Sequence, residues 1–573
     1  MSSRLEVYCS FADEAASLSL INSVMGNGYA VMVTVLTSWK YCGLVMTTAQ
    51  VASFKAGVGS IASAKWFQCE NVEFASRRLV DTSADSNYVD SYWTWRENEA
   101  IVLGNAPTLR RDIVYASPTG LNSNLGSLAS PVDAVTALTR SPVKAESEIR
   151  FLEGTYTISS AINFTADNLK VTTASGKMDA RLEFGDGAHL AIRGNSCIWE
   201  HLDLAGHYLV RELDEPAFDN PLILDHLPNF SVYGDSVILR HCYIHDFQLI
   251  GHWTEANGGL IEECLVQNLG WKGTDGGTGH NWYSQNLATS AMRIMRRCIL
   301  LPAFGRGVNL FGSNPAVTLG NYTIEDVSQI EDNALYGGSS PITNVNVINN
   351  WFLNACFQAG YDEDAANGSL SITDSKIVSM NNPIGMTALN FDNVSFENNL
   401  IHSYDFHLEV STPILITAHG VPSQVAWDDN AHYVAGSAIV YEWGEDSGSY
   451  AEFNANALGG GLNAHSSFSS TLPTTNTIEV IACSHWSAII RIQNLAEQDS
   501  VSVDLSSLGL AHGNYRLRAC YDYLGDTLEF AYSGSPVSID MRPAERSQVK
   551  PYGYETELAT IRKWYGVWVL EAV

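Results

Sequence analysis

Between Asp246 and Gly312 the chain gathers side chains capable of acid–base chemistry. They are Asp246, His252, Glu255, Lys272, Asp275, His280, Tyr283 and Arg306, with Trp253, Trp271 and Trp282 interspersed. Asp332 follows a short way on. Two carboxylates can hydrolyse a glycosidic bond, one protonating the leaving oxygen and the other attacking or activating water, at about 5–5.5 Å for retention and wider for inversion. On that scheme two of Asp246, Glu255, Asp275 and Asp332 act. A base beside a cation can instead remove a proton next to a uronate carboxylate and stabilise the resulting charge. His280 or Tyr283 would then be the base and Lys272 or Arg306 the cation. Aromatic rings next to acids suit a sugar groove, because rings pack on pyranose faces while carboxylates bond hydroxyls. Trp253, Trp271, Lys272 and Trp282 are the candidate binding residues.

Each assignment has a plainer competitor. His280 can be a structural histidine bonded in a turn, and the three tryptophans can be buried under a long loop. Glu262, Glu263 and Asp374 sit within strand-like runs and are expected on the solvated outer face. No phosphate-binding glycine loop, catalytic triad motif or zinc spacing is present, so no cofactor and no metal is expected.

These residues need a scaffold, and the chain repeats itself around them. In Val237–Ile244, Leu260–Val266, Arg293–Leu300, Asn346–Phe352, Ser371–Ile377 and Ser395–Ile401 an apolar residue precedes two polar ones, a variable position and more apolar residues. A further match lies at Tyr322–Val327. The apolar anchors Leu239, Ile261, Met295, Ile324, Ile348, Ile372 and Phe396 are spaced 22, 34, 29, 24, 24 and 24 residues apart. A short period with longer members means one coil per repeat, with loops inserted at a turn. No coil can bury its apolar face alone, so neighbouring coils must stack with their strands paired in parallel. Cys242, Cys264 and Cys298 share the variable position and are expected to be buried, reduced thiols. Asparagine at this turn can ladder through its amide. The fold expected is mainly β: a right-handed parallel β-helix over 111–420.

The flanks read differently. Over 1–110, a strand at Leu5–Ser10, a helix at Ala12–Met25 and a strand at Tyr29–Leu36 suggest a small α/β module. From 421 to 573, alternating runs such as Ala488–Ile492, Val501–Leu505 and Tyr515–Ala519 predict antiparallel strands in a small β-sandwich. A helix within Pro131–Thr139 is expected to cover the first coil, and the sandwich the last.

Composition narrows the partners. Only 16% of the 573 residues are charged, and the net charge is −30. So acidic a surface repels phosphate backbones, which argues against nucleic acid. The N-terminus lacks the basic and apolar regions of a signal peptide, and the run Ala30–Leu36 is too short to span a bilayer. No membrane insertion is expected.

Tyr115–Gly120, followed by Ser130–Ala134 and Glu148–Tyr156, resembles the opening of many β-helical polysaccharide lyases and phage tailspikes. Gly279–Asn286, Gly-His-Asn-Trp-Tyr-Ser-Gln-Asn, is similar to a Gly-His-Gly-Ile-Tyr-x-Gln-Asn segment of pectate-lyase-like β-helix proteins. Asn281 and Trp282 stand where that family has Gly and Ile. The resemblance covers about 300 residues, an extent read from the sequence. It implies a tailspike that binds, and by its chemistry depolymerises, a host surface polysaccharide. It also implies a homotrimer on the virion tail, made in the host cytoplasm and joined to other tail proteins through residues 1–110. A non-catalytic receptor-binding fibre and a free extracellular lyase are the alternatives.

Overall fold

The computed structural model describes residues 113–573, apart from 140–147, 207–228, 271–279, 404–409, 417–423, 521–526, 542–564 and shorter breaks at loops. Before residue 113 it describes five strands by their backbone, and over 249–255 the backbone alone.

Three sheets of twelve strands each run through the middle of the chain, and successive turns of the chain visit them in rotation. Strand Glu148–Phe151 belongs to the first sheet, Gly154–Ile158 to the second and Ile162–Phe164 to the third, and the next coil repeats the cycle. Pairing between coils is parallel throughout the interior. This is a right-handed parallel β-helix, the hand that parallel crossovers take almost without exception.

The interior holds stacked apolar columns because each strand alternates its faces. One column pairs Leu239, Ile261, Met295, Ile324, Val347, Ile372, Phe396 and Trp427 in register. Val347 takes the place expected for Ile348. The slip by one residue follows from the turn: Asn349 occupies its left-handed position, with φ of 50°, so Ile348 points outward.

That turn, between first and second sheets, is the most regular corner of the prism. The second polar residue of each repeat adopts positive φ: His201, His241, Glu263, Arg297, Asp326, Asn349, Asp374, Asn398 and Asp429. Asp and Asn tolerate this conformation best, which explains their frequency here. The next residue turns inward. Cys242, Cys264 and Cys298 are buried free thiols there. Farther on, a ladder replaces them. The amide N–H of Asn350 donates to Ser375 Oγ (3.1 Å), that of Ser375 to Asn399 Oδ1 (2.9 Å) and that of Asn399 to Asn430 Oδ1 (3.0 Å).

Both ends of the prism are closed. The helix Ala134–Thr139 buries Ala134, Ala137 and Leu138 against the first coil, and Asp133 caps it by accepting the Thr136 N–H at 2.8 Å. The prism also outlasts the boundary expected at residue 420. The strands Gln424–Asp428, Ala431–Val434, Tyr441–Trp443 and Ser467–Ser469 still belong to its sheets. The helix Tyr450–Asn456, not the sandwich, covers the last coils, with Phe453 packed against Trp427, Tyr441 and Trp443.

The C-terminal domain lies on the flank instead. It is an antiparallel sheet of five strands, Thr477–Ala482, Ala488–Gln493, Tyr565–Ala572, Gly513–Ala519 and Thr527–Tyr532, with the pair Ser500–Val503 and Val537–Asp540. One face packs on outward residues of the prism's second sheet, among them Tyr243, Leu265, Ile299, Trp351 and Val378. These residues are apolar on a surface position because this domain covers them.

Residues 5–82 contribute an antiparallel sheet of five strands, Leu5–Phe11, Thr34–Leu36, Trp39–Met46, Lys65–Glu70 and Arg78–Thr82. The helix expected over Ala12–Met25 lies outside the described residues. Among the described residues no helix is long and apolar enough to cross a membrane.

Candidate functional site

The corner between second and third sheets is where the coils differ. Strand Leu202–Gly206 leads to Asn229–Val232, Leu265–Gln267 to Trp282–Asn286 and Ile299–Leu300 to Val308–Leu310 through connections of unequal length. Asp246, Trp271, Lys272, Asp275, His280 and Arg306 all fall in such connections, and His252, Trp253 and Glu255 on the adjoining strand Leu249–Ala256. Among the described residues, topology brings Asp246, His280 and Arg306 to this corner of the prism. Asp246 and Asn268 follow paired positions of adjacent coils, and Asp203, paired with Tyr243, lies one coil earlier on the second sheet.

The best-defined part of this corner is a histidine between two carboxylates. His245 Nε2 lies 2.8 Å from Asp203 Oδ1, and Nδ1 lies 2.5 Å from Asp246 Oδ2. Asp246 Oδ1 also accepts from Asn268 Nδ2. Asp246 has φ of 62°, a conformation Asp and Asn tolerate, and it sits against Gly206, where a Cβ would meet its carbonyl oxygen at 2.3 Å. Tyr243 stacks on the imidazole at 4.0 Å and 18°. The two acids keep 22% and 30% of their side chains exposed and the imidazole 4%. Solvent and solutes reach the carboxylates while the ring stays covered. Each carboxylate bonds one nitrogen of the same ring, so the imidazole sits between the two acids.

Burial disfavours charge on His245, but the hydrogen bonds and charges of Asp203 and Asp246 outweigh it and hold the ring's pKa above its usual value. The sign of the linkage follows. A raised folded-state pKa contributes stability that is complete below the unfolded value of about 6.5 and is lost as pH rises through the folded value. Denaturant titrations of wild type and His245→Gln across this range should show a stability difference that shrinks as pH increases. A difference constant with pH would contradict the bridged arrangement.

Farther along the edge, His280 and Tyr283 stack at 5.8 Å and 19°. His280 Nδ1 accepts the Arg306 backbone N–H at 2.9 Å, so hydrogen resides on Nε2, which donates to the Asn309 side chain 3.0 Å away with that amide turned to present its otherwise unpartnered Oδ1. Both ring nitrogens hold the turn in place, and the ring is 3% exposed. This is the structural role, not that of a base. Burial raises the Tyr283 pKa above its usual value. Gln285 Nε2 donates to its hydroxyl at 3.0 Å.

Trp282 is corrected as well. It points inward, is fully buried and packs edge-on against Tyr322, because the strand Trp282–Asn286 begins with an inward position. It offers no face to a sugar. Nor are Glu262 and Glu263 solvated. Glu262 bonds Arg296 Nε at 2.6 Å and also Arg297, while Glu263 is buried beneath the C-terminal domain. Asp374 is exposed. The side chains of His252, Trp253 and Glu255, and residues Trp271, Lys272, Asp275 and Asp332, lie outside the described residues. Asp203 and His245 were not among the sequence candidates. The signal for them was an acid and a histidine at outward positions of the same sheet in adjacent coils.

No protein-family model matches the chain, and no curated protein does. Among solved structures, the chain is similar to pectate lyase Pel9A, with 14% identity over 55% of this chain and 80% of that one, and a TM-score of 0.35. It is also similar to the GH136 lacto-N-biosidase from Eubacterium ramulus, with 11% identity over 57% of this chain and 64% of that one, and a TM-score of 0.31. A third likeness is to ORF18 of Geobacillus virus E2, with 10% identity over 75% of this chain and 80% of that one, and a TM-score of 0.23.

Proposed function

We propose that this chain is a phage tailspike that binds a polysaccharide of the host cell surface and hydrolyses it. The supporting observation is the Asp203–His245–Asp246 bridge at the irregular corner of a β-helix. One aspartate, taking the proton that His245 holds, protonates the glycosidic oxygen, and the other takes a proton from the attacking water, which returns through His245 to restore the starting state. Hydrolysis is preferred to elimination because His280 is committed to its turn. The polymer runs along the edge from Asp203 towards Arg306. Trp253, Trp271 and Lys272 are proposed to bind it, and Glu255 and Asp275 remain candidate acids.

Residues 1–110 attach the chain to other tail proteins in this reading, and three chains lie side by side about a threefold axis. Linked sites gain avidity for a repetitive surface, because the second contact becomes intramolecular. Light scattering on the full chain should give the mass of a trimer; a monomer at micromolar concentration would count against attachment as a tailspike. The cleavage half is tested by incubating the protein with host capsule or lipopolysaccharide and sizing the products. Unchanged length in a polymer that binds would reduce the protein to an adhesin.

A further inference from the structure

Away from the proposed cleavage edge, three histidines meet where the C-terminal domain rests on the prism. Glu200 ends a strand of the first sheet, and His201 takes the left-handed turn position after it. One coil on, Arg240 and His241 hold the same places, and then Glu262 and Glu263. The segment Cys483–Ser487 of the C-terminal domain, between its strands Thr477–Ala482 and Ala488–Gln493, lies against these turns. The His485 ring stacks on His241 at 5.4 Å and lies 4.9 Å from the His201 ring. One donor atom from each of Glu200, His201 and His485 lies within 4.8 Å of the others.

The neighbours fix which atoms are offered. Glu263 accepts the backbone N–H groups of Ser484 at 2.7 Å and His485 at 2.6 Å, and Arg297 Nε at 3.1 Å. It also lies 3.2 Å from His485 Nδ1. A carboxylate so placed keeps hydrogen on Nδ1 and leaves the lone pair on His485 Nε2. A carboxylate orienting a histidine through its other nitrogen is how metal-binding imidazoles are commonly held. His201 Nδ1 faces His241 Nδ1 at 2.8 Å, so one of the two donates. When His201 donates, its Nε2 lone pair is free to coordinate, 3.8 Å from Glu200 Oε1.

We propose that Glu200, His201 and His485 bind a divalent transition-metal ion that clamps the C-terminal domain to the β-helix. Two imidazoles and one carboxylate are the donor set of many zinc sites, with a fourth position left to water. Lys170 and Arg240 also bond Glu200, at 2.7 Å and 2.5 Å, and offset its charge. Binding then rests mainly on the neutral imidazoles. That favours zinc, cobalt, nickel or copper over calcium and magnesium, which require oxygen ligands. His241 and Glu263 act as positioning residues.

The test uses the full chain, stripped with a chelator and titrated with Co²⁺. The expected result is one Co²⁺ per chain, with the visible bands of a four-coordinate ion, displaced by Zn²⁺ and indifferent to Ca²⁺. His485→Ala and His201→Ala should abolish the bands, and Glu263→Gln should weaken binding about 10–100-fold. His485→Cys should restore binding with a thiolate-to-cobalt charge-transfer band, which separates ligand loss from misfolding. Asp428→Asn removes a member of a second, mostly exposed group, Asp428, Asp429 and His465, and should leave the bands unchanged. Absence of stoichiometric Co²⁺ binding, or bands that persist in His485→Ala, would overturn the proposal. So would bands that vanish in Asp428→Asn. None of these results bears on polysaccharide cleavage, which is measured separately.

Discussion

Asp246→Asn should slow polysaccharide cleavage by about 10²–10⁴-fold, the share of rate that a positioned acid or base supplies. The substitution is nearly isosteric and removes the charge and the proton that the mechanism needs. It spares the backbone, because Asn accepts the φ of 62° that residue 246 adopts. The amide retains an oxygen for the bond now made with His245, so the turn and the Asn268 contact survive with a flipped partner. Binding of the polymer should therefore persist while product formation collapses. Asp203→Asn should behave alike, whereas His280→Gln should act on stability more than on rate, since both nitrogens of that ring serve the turn. Initial rates of reducing-end formation, with binding measured in parallel on the same polymer, decide the matter. An Asp246→Asn protein that cleaves at the wild-type rate would remove the carboxylate pair from the mechanism.

Trp351→Ala should cost about 3–5 kcal/mol of stability, the range for deleting a large buried aromatic. Trp351 stands on the outer face of the prism yet is fully buried, because the C-terminal domain covers it. Tyr565 meets its ring edge-on at 6.1 Å, and Lys376 Nζ lies 4.3 Å above it. Arg491, itself buried, lies 5.7 Å away and donates to Ser328 Oγ at 2.9 Å and to the Asn349 carbonyl at 2.8 Å. Removing the indole opens a cavity at this seam and loosens two cations at once. The loss should show as an early unfolding transition in denaturant, with protease cutting between the last prism strand, Ser467–Ser469, and the domain. Wild-type stability in Trp351→Ala would mean that the flank contact contributes little.

Much of the scaffold was legible because its cause is local and repeats. A one-coil period, a polar residue suited to positive φ and a small inward residue after it recur at Cys242, Cys264 and Cys298 and again along the Asn ladder. The slip at Ile348 shows the limit. Two adjacent apolar residues, Val347 and Ile348, fit the anchor equally well until the turn geometry chooses between them. The flank contact was hidden for a related reason. Tyr243, Leu265 and Ile299 sit beside inward residues, and a strand buried on both faces reads as a continuous apolar run.

The site was legible only as a neighbourhood. Asp246, His280 and Arg306 do fall at one corner, but Asp203 comes from an earlier coil, 42 positions before its partner His245. Its contribution depends on stacking, which no local pattern reports. His485 lies 222 positions from Glu263 for the same reason. Trp282 and His280 misled because an inward strand position and a turn histidine carry the same residue types as a groove.

The central claim is hydrolysis at the Asp203–His245–Asp246 edge, and the most direct measurement is the length of a bound polymer over time. Purified full chain would be incubated with capsules and lipopolysaccharides, and the products of any polymer that it binds would be sized and analysed chemically. The account predicts shortened chains with new reducing ends and saturated sugars, and loss of both in Asp246→Asn. A bound polymer of unchanged length, or products with the unsaturated ends of an elimination, would contradict it.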